Sequence, residues 1–83
     1  MTESHKAHDE IIAALRERRY ESLVIKRFET RHYLIVVIKG RPRVFADHTG
    51  KHKEYRHTWQ IRSWLQEQFD IPGETATLET ISA

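Results

Sequence analysis

The chain has 83 residues, of which 39% are hydrophobic and 31% charged, and it contains no cysteine. A chain of this length buries only about 60% of the surface that its unfolded form exposes, which predicts one domain over residues 1–83 and excludes a two-domain enzyme. The net charge of +2 conceals a partition, because residues 26–62 hold ten basic and three acidic residues, whereas residues 63–83 hold four acids and no base.

The N-terminal segment has the periodicity of an amphipathic helix over about residues 4–19. Apolar positions recur at helical spacing with charged residues between them, as at Ile11, Ile12 and Leu15. Ser4 is a suitable N-cap, because its hydroxyl can accept a hydrogen bond from a free amide of the first turn. We expect residues 1–4 to form a flexible end.

Two strands joined by a hairpin are predicted after the helix. Residues 22–28 and 32–39 are rich in β-branched and aromatic side chains, which favour strands. Only residues 29–31 separate them, so a hairpin is the economical connection. After a break at residues 40–42, residues 43–47 predict a third strand.

The next segment predicts a turn, a short strand and a second helix. Asp47–Gly50 has the composition of a tight turn, and residues 53–57 predict a fourth short strand. Thr58 is the predicted N-cap of the second helix, which ends near Asp70. The apolar face of this helix consists of Ile61, Trp64, Leu65 and Phe69.

The tail of the chain is short and weakly patterned. Residues 75–83 fit either a short edge strand or a loose end, and we expect flexibility over residues 74–83. Taken together, the elements predict an α+β fold with an N-terminal helix, a three- to four-stranded antiparallel meander, a C-terminal helix and a short tail.

The second predicted strand is apolar on both faces, and this has a consequence for assembly. Successive side chains alternate, with Tyr33, Ile35 and Val37 on one face and Leu34, Val36 and Ile38 on the other. Either the two helices lie on opposite faces of the sheet or they share one face. We predict that they share one, because a four-stranded meander leaves little area to wrap twice. The other face is then covered by a second copy of the chain or by the tail. The predicted dimer interface is Leu34, Val36 and Ile38, or the alternate set on the other face, Tyr33, Ile35 and Val37.

Trp59 does not belong to the apolar face of the second helix. At 100° per residue it lies opposite Ile61, Trp64 and Leu65. Two interpretations remain open for this side chain. It folds over the fourth strand beside Tyr55, or it anchors an interface, since tryptophan is prominent among binding hot spots.

Catalysis and metal binding have little support in the sequence. The six histidines are His5, His8, His32, His48, His52 and His57. His32, His48 and His52 could meet Asp47 or Glu29 at one end of the sheet, but their spacing matches no metal motif, and we interpret them as solvated loop residues. The chain has neither a nucleophile elbow nor a glycine-rich phosphate loop. We therefore expect no enzyme activity and no catalytic, metal-binding or cofactor-binding residue.

Basic residues gather at two ends of the predicted sheet. Arg31, Lys51 and Lys53 lie at one end, and Arg41 and Arg43 lie at the other. These five residues are the candidates for contacts with an anion or with nucleic-acid phosphates. Two separated basic clusters match a phosphate backbone less well than one continuous basic surface. Nucleic acid is therefore the alternative partner, after a second copy of the chain or another protein.

Two resemblances bear on the function. The first is carried by Gly50, Lys51, Arg56, Thr58, Ile61, Trp64 and Leu65. This passage resembles the strand-to-helix passage of integrase arm-binding domains, which implies a three-stranded sheet lying in a DNA groove.

The second resemblance covers more of the chain. It is carried by Leu23–Ile25, Tyr33 with Leu34, Gly40, Asp47 with Gly50, Arg62 with Leu65, and residues 76–82. These features are similar to those of a family of small uncharacterised bacterial proteins described only as a domain of unknown function. The resemblance implies the α+β fold and supplies no activity, cofactor or catalytic residue.

The sequence as a whole favours a small, non-enzymatic bacterial interaction domain that associates with itself. A homodimer and a protein partner are expected, with nucleic acid as the alternative partner. The absence of cysteine fits a reducing cytoplasm. Because no apolar run approaches the roughly 20 residues of a membrane helix, we expect no membrane partner. Residues 1–25 also lack the pattern of a signal peptide.

Overall fold

A computed structural model describes the backbone of residues 3–80 and the side chains of residues 8–80. The first element, α1 (Glu3–Glu17), ends two residues earlier than predicted. It ends there because Arg18 adopts the left-handed conformation with φ 59°. The Arg19 N–H then donates to Ala14 O at 2.8 Å, which closes the last turn. Ser4 lies inside this helix, and its side chain is outside the described part.

Four strands form one mixed sheet in the order β3-β2-β1-β4. The strands are β1 (Ser22–Phe28), β2 (Arg31–Ile38), β3 (Arg41–Val44) and β4 (Ala76–Thr80). The first three pair antiparallel, whereas β4 runs parallel to β1. The α+β fold is therefore confirmed, but the sheet is not a strict meander. Of the two alternatives for the tail, the edge strand is correct over residues 76–80.

The predicted fourth strand over residues 53–57 is wrong. That segment forms only an isolated bridge between Tyr55 and His32, and a second isolated bridge joins His52 to Ala46. The predicted turn before it is confirmed, since the Gly50 N–H donates to Asp47 O at 3.0 Å and Gly50 has φ 89°. The fourth place in the sheet is taken instead by β4, which reaches β1 only after the second helix.

The hairpin between β2 and β3 determines where β2 ends and β3 begins. Lys39 and Gly40 form the two-residue connection between β2 and β3, and both have positive φ, at 52° and 75°. The predicted break at residues 40–42 is therefore too long, because β3 already begins at Arg41. Pro42 is tolerated within β3 because β3 is an edge strand and needs no amide on its outer side.

The second helix, α2 (Thr58–Phe69), has His57 rather than Thr58 as its N-cap. The Gln60 Oε1 atom accepts hydrogen bonds from the amides of Arg56 and His57, both at 3.1 Å. The helix ends at Asp70, which is left-handed with φ 58°. A one-turn 3₁₀ helix over Gly73–Thr75 then leads into β4.

Close packing of this connection against α2 places β4 beside β1. A Cβ atom on Gly73 would lie 2.9 Å from Arg62 Cβ, so a larger residue would displace the segment. Arg62 also donates from Nη2 to Ala76 O, at 3.3 Å. Both contacts hold the chain close to α2 where β4 begins.

Both helices lie on one face of the sheet, as the sequence predicts. The core on this face contains Leu34, Val36 and Ile38 of β2 together with Leu23 and Ile25 of β1. The helices contribute Ile11, Ala14, Leu15, Ile61 and Leu65 to the same cluster. Among the described residues, no helix is long and apolar enough to cross a membrane.

This arrangement corrects one of the two predicted dimer interfaces. Leu34 and Val36 have no exposed surface, and Ile38 is 8% exposed. These side chains are covered by the protein's own helices, so they cannot form an interface with a second copy. The alternate set, Tyr33, Ile35 and Val37, lies on the opposite face.

Candidate functional site

The sheet face turned away from the helices carries an apolar strip. We call this surface the open face and define its centre as Val24, Ile35, Val37 and Val44. The strand register places Val24, Ile35 and Val44 directly opposite one another across three strands. Ile35 is 7% exposed, yet it lies outside the helix-side core. It is therefore enclosed by side chains of its own sheet face and not by a helix.

Polar groups of both charges lie on the same face as the strip. Lys26 Nζ lies 3.7 Å from Glu79 Oε1, across the β1–β4 pair. The Tyr33 hydroxyl donates to Glu54 Oε1 at 3.1 Å. The open face thus has an apolar centre and a rim with exposed cations and anions, which is the composition of an interface whose outer ring is solvated.

At the β2–β3 hairpin, the predicted phosphate contacts Arg41 and Arg43 lie together. They line a shallow cavity of about 520 Å³, to which Arg19 and Lys39 also contribute. Glu10 lines it too, and its Oε1 atom lies 3.5 Å from Arg43 Nη2. The protein's own acid therefore partly neutralises this cluster.

At the other end of the sheet, Arg31, Lys51 and Lys53 do not form one cluster. Arg31 Nη1 lies 3.6 Å from Glu54 Oε1. Lys53 Nζ lies 5.9 Å from the centre of the Tyr55 ring, within range of a cation–π contact. Lys51 is an exposed residue just after the turn at Gly50.

Trp59 is the most exposed large apolar side chain among the described residues, at 62%. It does not fold over the segment beside Tyr55. Its ring lies instead next to the His57 ring, with the planes within 14° of parallel and the centroids 6.2 Å apart. The remaining interpretation, a contact residue on the surface, is the one compatible with this position.

A groove beside Trp59 brings together residues that sequence reasoning did not associate. We call it the Trp59 groove; it has a volume of about 580 Å³ and is lined by Arg27, Thr30, His32, Arg56, His57, Thr58, Trp59 and Leu78. Strand alternation could have indicated Arg27, because it follows Ile25 on the helix-side face of β1. The position of Leu78 could not be anticipated, since it depends on the pairing of β4 with β1.

A second cleft lies between the two helices. It has a volume of about 480 Å³, and its aromatic wall includes Phe45, Trp64 and Phe69. The Phe45 and Trp64 centroids are 4.9 Å apart, and those of Trp64 and Phe69 are 5.1 Å apart. These rings also pack against the helix-side core. The cleft is therefore the outer margin of the core.

Two titrating groups at this cleft have shifted pKa values. Burial raises the pKa of Tyr55 to about 12. The Thr49 hydroxyl donates to Asp47 Oδ1 and, with the amides of Thr49 and Lys51, holds the pKa of Asp47 below its usual value of 3.8. The Asp47 carboxylate is therefore stabilised in its ionised form, and its hydrogen bonds lie within its own turn.

The histidines lie in different surroundings. His32 is buried, and its Nδ1 donates to Tyr55 O at 3.2 Å. His8 Nδ1 donates to Ala46 O at 2.9 Å, and His48 and His52 are exposed. Within the described part of the chain, no group of three or more metal-ligating side chains comes together. The His5 side chain is outside the described part.

No family model, curated protein or solved structure matches this chain. The two resemblances drawn from the sequence therefore stay predictions. The surfaces that bear on function are the open face and the Trp59 groove.

Proposed function

We propose that the protein is a cytoplasmic, non-enzymatic interaction domain that forms a homodimer through its open face. The observation that carries this proposal is the strip formed by Val24, Ile35, Val37 and Val44, which lies on the sheet face opposite the helix-side core. Ile35 is buried among its neighbours, and the three valines are half-buried. A contiguous apolar patch is unfavourable in water, and burial contributes about 25 cal/mol per Å² of apolar surface.

A second copy suits this face because the face is complementary to itself. A two-fold axis brings the same patch of both chains together, so each cation on the rim can meet an anion of the partner. Lys26 and Glu79, which form an exposed ion pair within each chain, give the rim both signs of charge. The small size of the domain adds a second reason, since a chain of this length has little core of its own.

Sedimentation equilibrium between about 1 and 100 µM, bracketing a micromolar Kd, tests the proposal. We expect the wild-type protein to reach the mass of two 9.9 kDa chains as its concentration rises. Val24→Lys places a charge in the centre of the strip and should weaken dimerisation at least tenfold. The matched control is Gln66→Lys, which adds the same charge at an exposed position of α2 and should leave the mass unchanged.

A single-chain mass for the wild-type protein at the highest concentration would overturn the proposal. An equal loss of mass in both lysine variants would also overturn the assignment to the open face. Circular dichroism of Val24→Lys distinguishes lost association from lost folding. A folded monomer is expected, because Val24 lies outside the helix-side core.

A further inference from the structure

Trp59 and Leu78 form an exposed apolar pair at the edge of the Trp59 groove. Trp59 is 62% exposed and Leu78 is 42% exposed. The His57 ring lies alongside the indole, with the planes within 14° of parallel, and so limits its orientations. A large flat ring presented to solvent in a defined orientation is suited to stacking against another flat ring.

The charge of the groove is of one sign. Arg27 and Arg56 lie in its lining, which contains no aspartate or glutamate among the described residues. Arg19, Arg31 and Arg43 each lie within 4.0 Å of a glutamate. In the same described side chains, neither Arg27 nor Arg56 forms an ion pair. Their positive charges are therefore available to an anion.

Arg27 is also held in position by the protein. Its Nε donates to Glu29 O at 3.2 Å, a neutral carbonyl that leaves the positive charge uncompensated. The terminal nitrogens of a guanidinium fixed in this way can donate to phosphate oxygens. A cation beside an exposed indole suits a nucleotide unit, because the base can stack on the ring while the phosphate accepts hydrogen bonds from the guanidinium.

A second cavity adjoins the groove at the β1–β2 hairpin. This cavity of about 580 Å³ is lined by Thr30, Arg31, Glu54, Tyr55 and Arg56. It shares Thr30 and Arg56 with the Trp59 groove. The two cavities are therefore adjacent, and in the second one Glu54 lies 3.6 Å from Arg31, which leaves, among the described side chains, Arg27 and Arg56 as the cations available to a ligand of the groove.

We propose that the Trp59 groove binds single-stranded nucleic acid, with one base stacked on Trp59 and adjacent phosphates contacting Arg27 and Arg56. An unpaired base is required because the faces of bases in a duplex are already stacked on their neighbours. Neither Arg27 nor Arg56 is among the predicted phosphate contacts, of which Arg41 and Arg43 lie at the opposite end of the sheet and Arg31 lines the adjacent cavity. The site is also independent of dimerisation, because Arg27 and Leu78 share the helix-side face.

Fluorescence anisotropy of a labelled ten-nucleotide oligothymidylate at about 50 mM salt tests this proposal, since phosphate contacts are strongest at low salt. Trp59→Ala should weaken binding by about fivefold to 150-fold, the range that corresponds to one base–aromatic stack. Trp59→Phe should restore much of the affinity. The Trp59 side chain is largely exposed, so both variants should keep the wild-type circular dichroism spectrum.

The arginines are tested by the salt dependence. Two phosphate contacts to a single strand give a slope of log K against log salt of about −1.4, and Arg56→Gln should reduce its magnitude by about 0.7. Arg41→Gln is the matched control, because it removes the same charge from the opposite end of the sheet. It should leave the slope unchanged.

Competition experiments identify the ligand. Unlabelled oligothymidylate should displace the probe, whereas a duplex of the same length and thymidine monophosphate should compete at least tenfold less well. No wild-type binding at about 50 µM protein, a concentration well above a micromolar Kd, would overturn the proposal. Equal competition by the duplex would exclude stacking, and equal competition by the monophosphate would redefine the groove as a mononucleotide site. If Arg41→Gln reduced the salt slope as much as Arg56→Gln, the assignment of the nucleic acid to the Trp59 groove would be refuted.

Discussion

The two faces of β2 have similar side chains and different surroundings. Leu34 and Val36 have no exposed surface beneath the helices, while Ile35, between them in the sequence, is enclosed only by its own sheet face. The comparison shows that apolar character in a strand does not by itself identify the core. The choice of face depends on the other elements that share it.

The flanking strands of the sheet distinguish the two faces. On β1, the helix side receives Leu23 and Ile25, while the open side receives Ser22, Val24 and Lys26. On β4, the buried Ala76 is on the helix side, and the open side receives exposed polar residues. The helices cover the face on which β1, β2 and β4 contribute apolar side chains, whereas β3 places Arg41 and Arg43 on that side and Val44 on the open face. Burying the polar rim of the open face would leave its groups without water.

The largest expected effect is on the free energy of unfolding when the two faces are truncated separately. Leu34→Ala should destabilise the protein by about 2–5 kcal/mol, because it leaves a cavity beneath the helices. Ile35→Ala should destabilise the monomer by less than half as much, since side chains on a solvent-facing sheet can relax. Urea denaturation at about 1 µM protein, below a micromolar dimer Kd, measures both. Equal losses in the free energy of unfolding would contradict the distinction between the two faces.

The tyrosines provide an intermediate test, because Tyr55 packs against the helix-side core and Tyr33 lies on the open face. Burial raises the pKa of Tyr55 to about 12 from an ordinary value of 10.0. In an ultraviolet titration of tyrosinate, Tyr55→Phe should remove the step near pH 12, whereas Tyr33→Phe should leave it. If Tyr33→Phe removed that step instead, the buried phenol would lie on the open side.

The same shift in the Tyr55 pKa predicts how stability changes in alkali. Between pH 10 and pH 12 the unfolded chain releases the Tyr55 proton while the folded chain retains it, so this contribution to stability falls as the pH rises. Tyr55→Phe should make the pH dependence of the free energy of unfolding shallower over this interval. Denaturation at several pH values measures the difference, and an unchanged slope would contradict the assignment.

The smallest expected effect concerns the polar rim of the open face. Lys26 and Glu79 are an exposed pair at 3.7 Å. Glu79→Gln should change the free energy of unfolding of the monomer by less than about 1 kcal/mol, and the change should shrink in high salt. A larger, salt-independent loss would mean that the rim is part of the folding core.

The local elements were largely predictable. The periodicity of Ile11, Ile12 and Leu15 predicted α1, and the β-branched runs predicted β1 and β2. The Asp47–Gly50 turn followed from its composition. Each of these signals lies within a few neighbouring residues, so the sequence contains them directly.

The errors arose at the edges of the sheet, where the identity of the last strand depends on segments distant in the sequence. Residues 53–57 and 76–80 both have the length of a short strand, and the first lies nearer to β3 in sequence. The second occupies the sheet because Gly73 packs closely against Arg62 and delivers Ala76 next to β1. Parallel pairing of this kind needs a long connection, and a local pattern does not reveal where that connection leads.

The candidate sites were predictable to different degrees. The sequence showed that β2 is apolar on both faces, and it predicted that both helices share one of them. It did not show which face, so Leu34, Val36 and Ile38 were one of two open alternatives. Arg27, Arg56 and Leu78 come together only when β1, β4 and the start of α2 meet.

The sequence by itself determined the α+β class, both helices and the two-faced character of β2, because these depend on spacing between near neighbours. The tertiary structure alone decided that β4 completes the sheet, that the helices cover Leu34 rather than Ile35, and that Trp59 shares a groove with Arg27 and Arg56. The physical reason is that burial is a property of the whole assembly of elements. A side chain's position in the sequence specifies its strand face, and only packing specifies what covers that face.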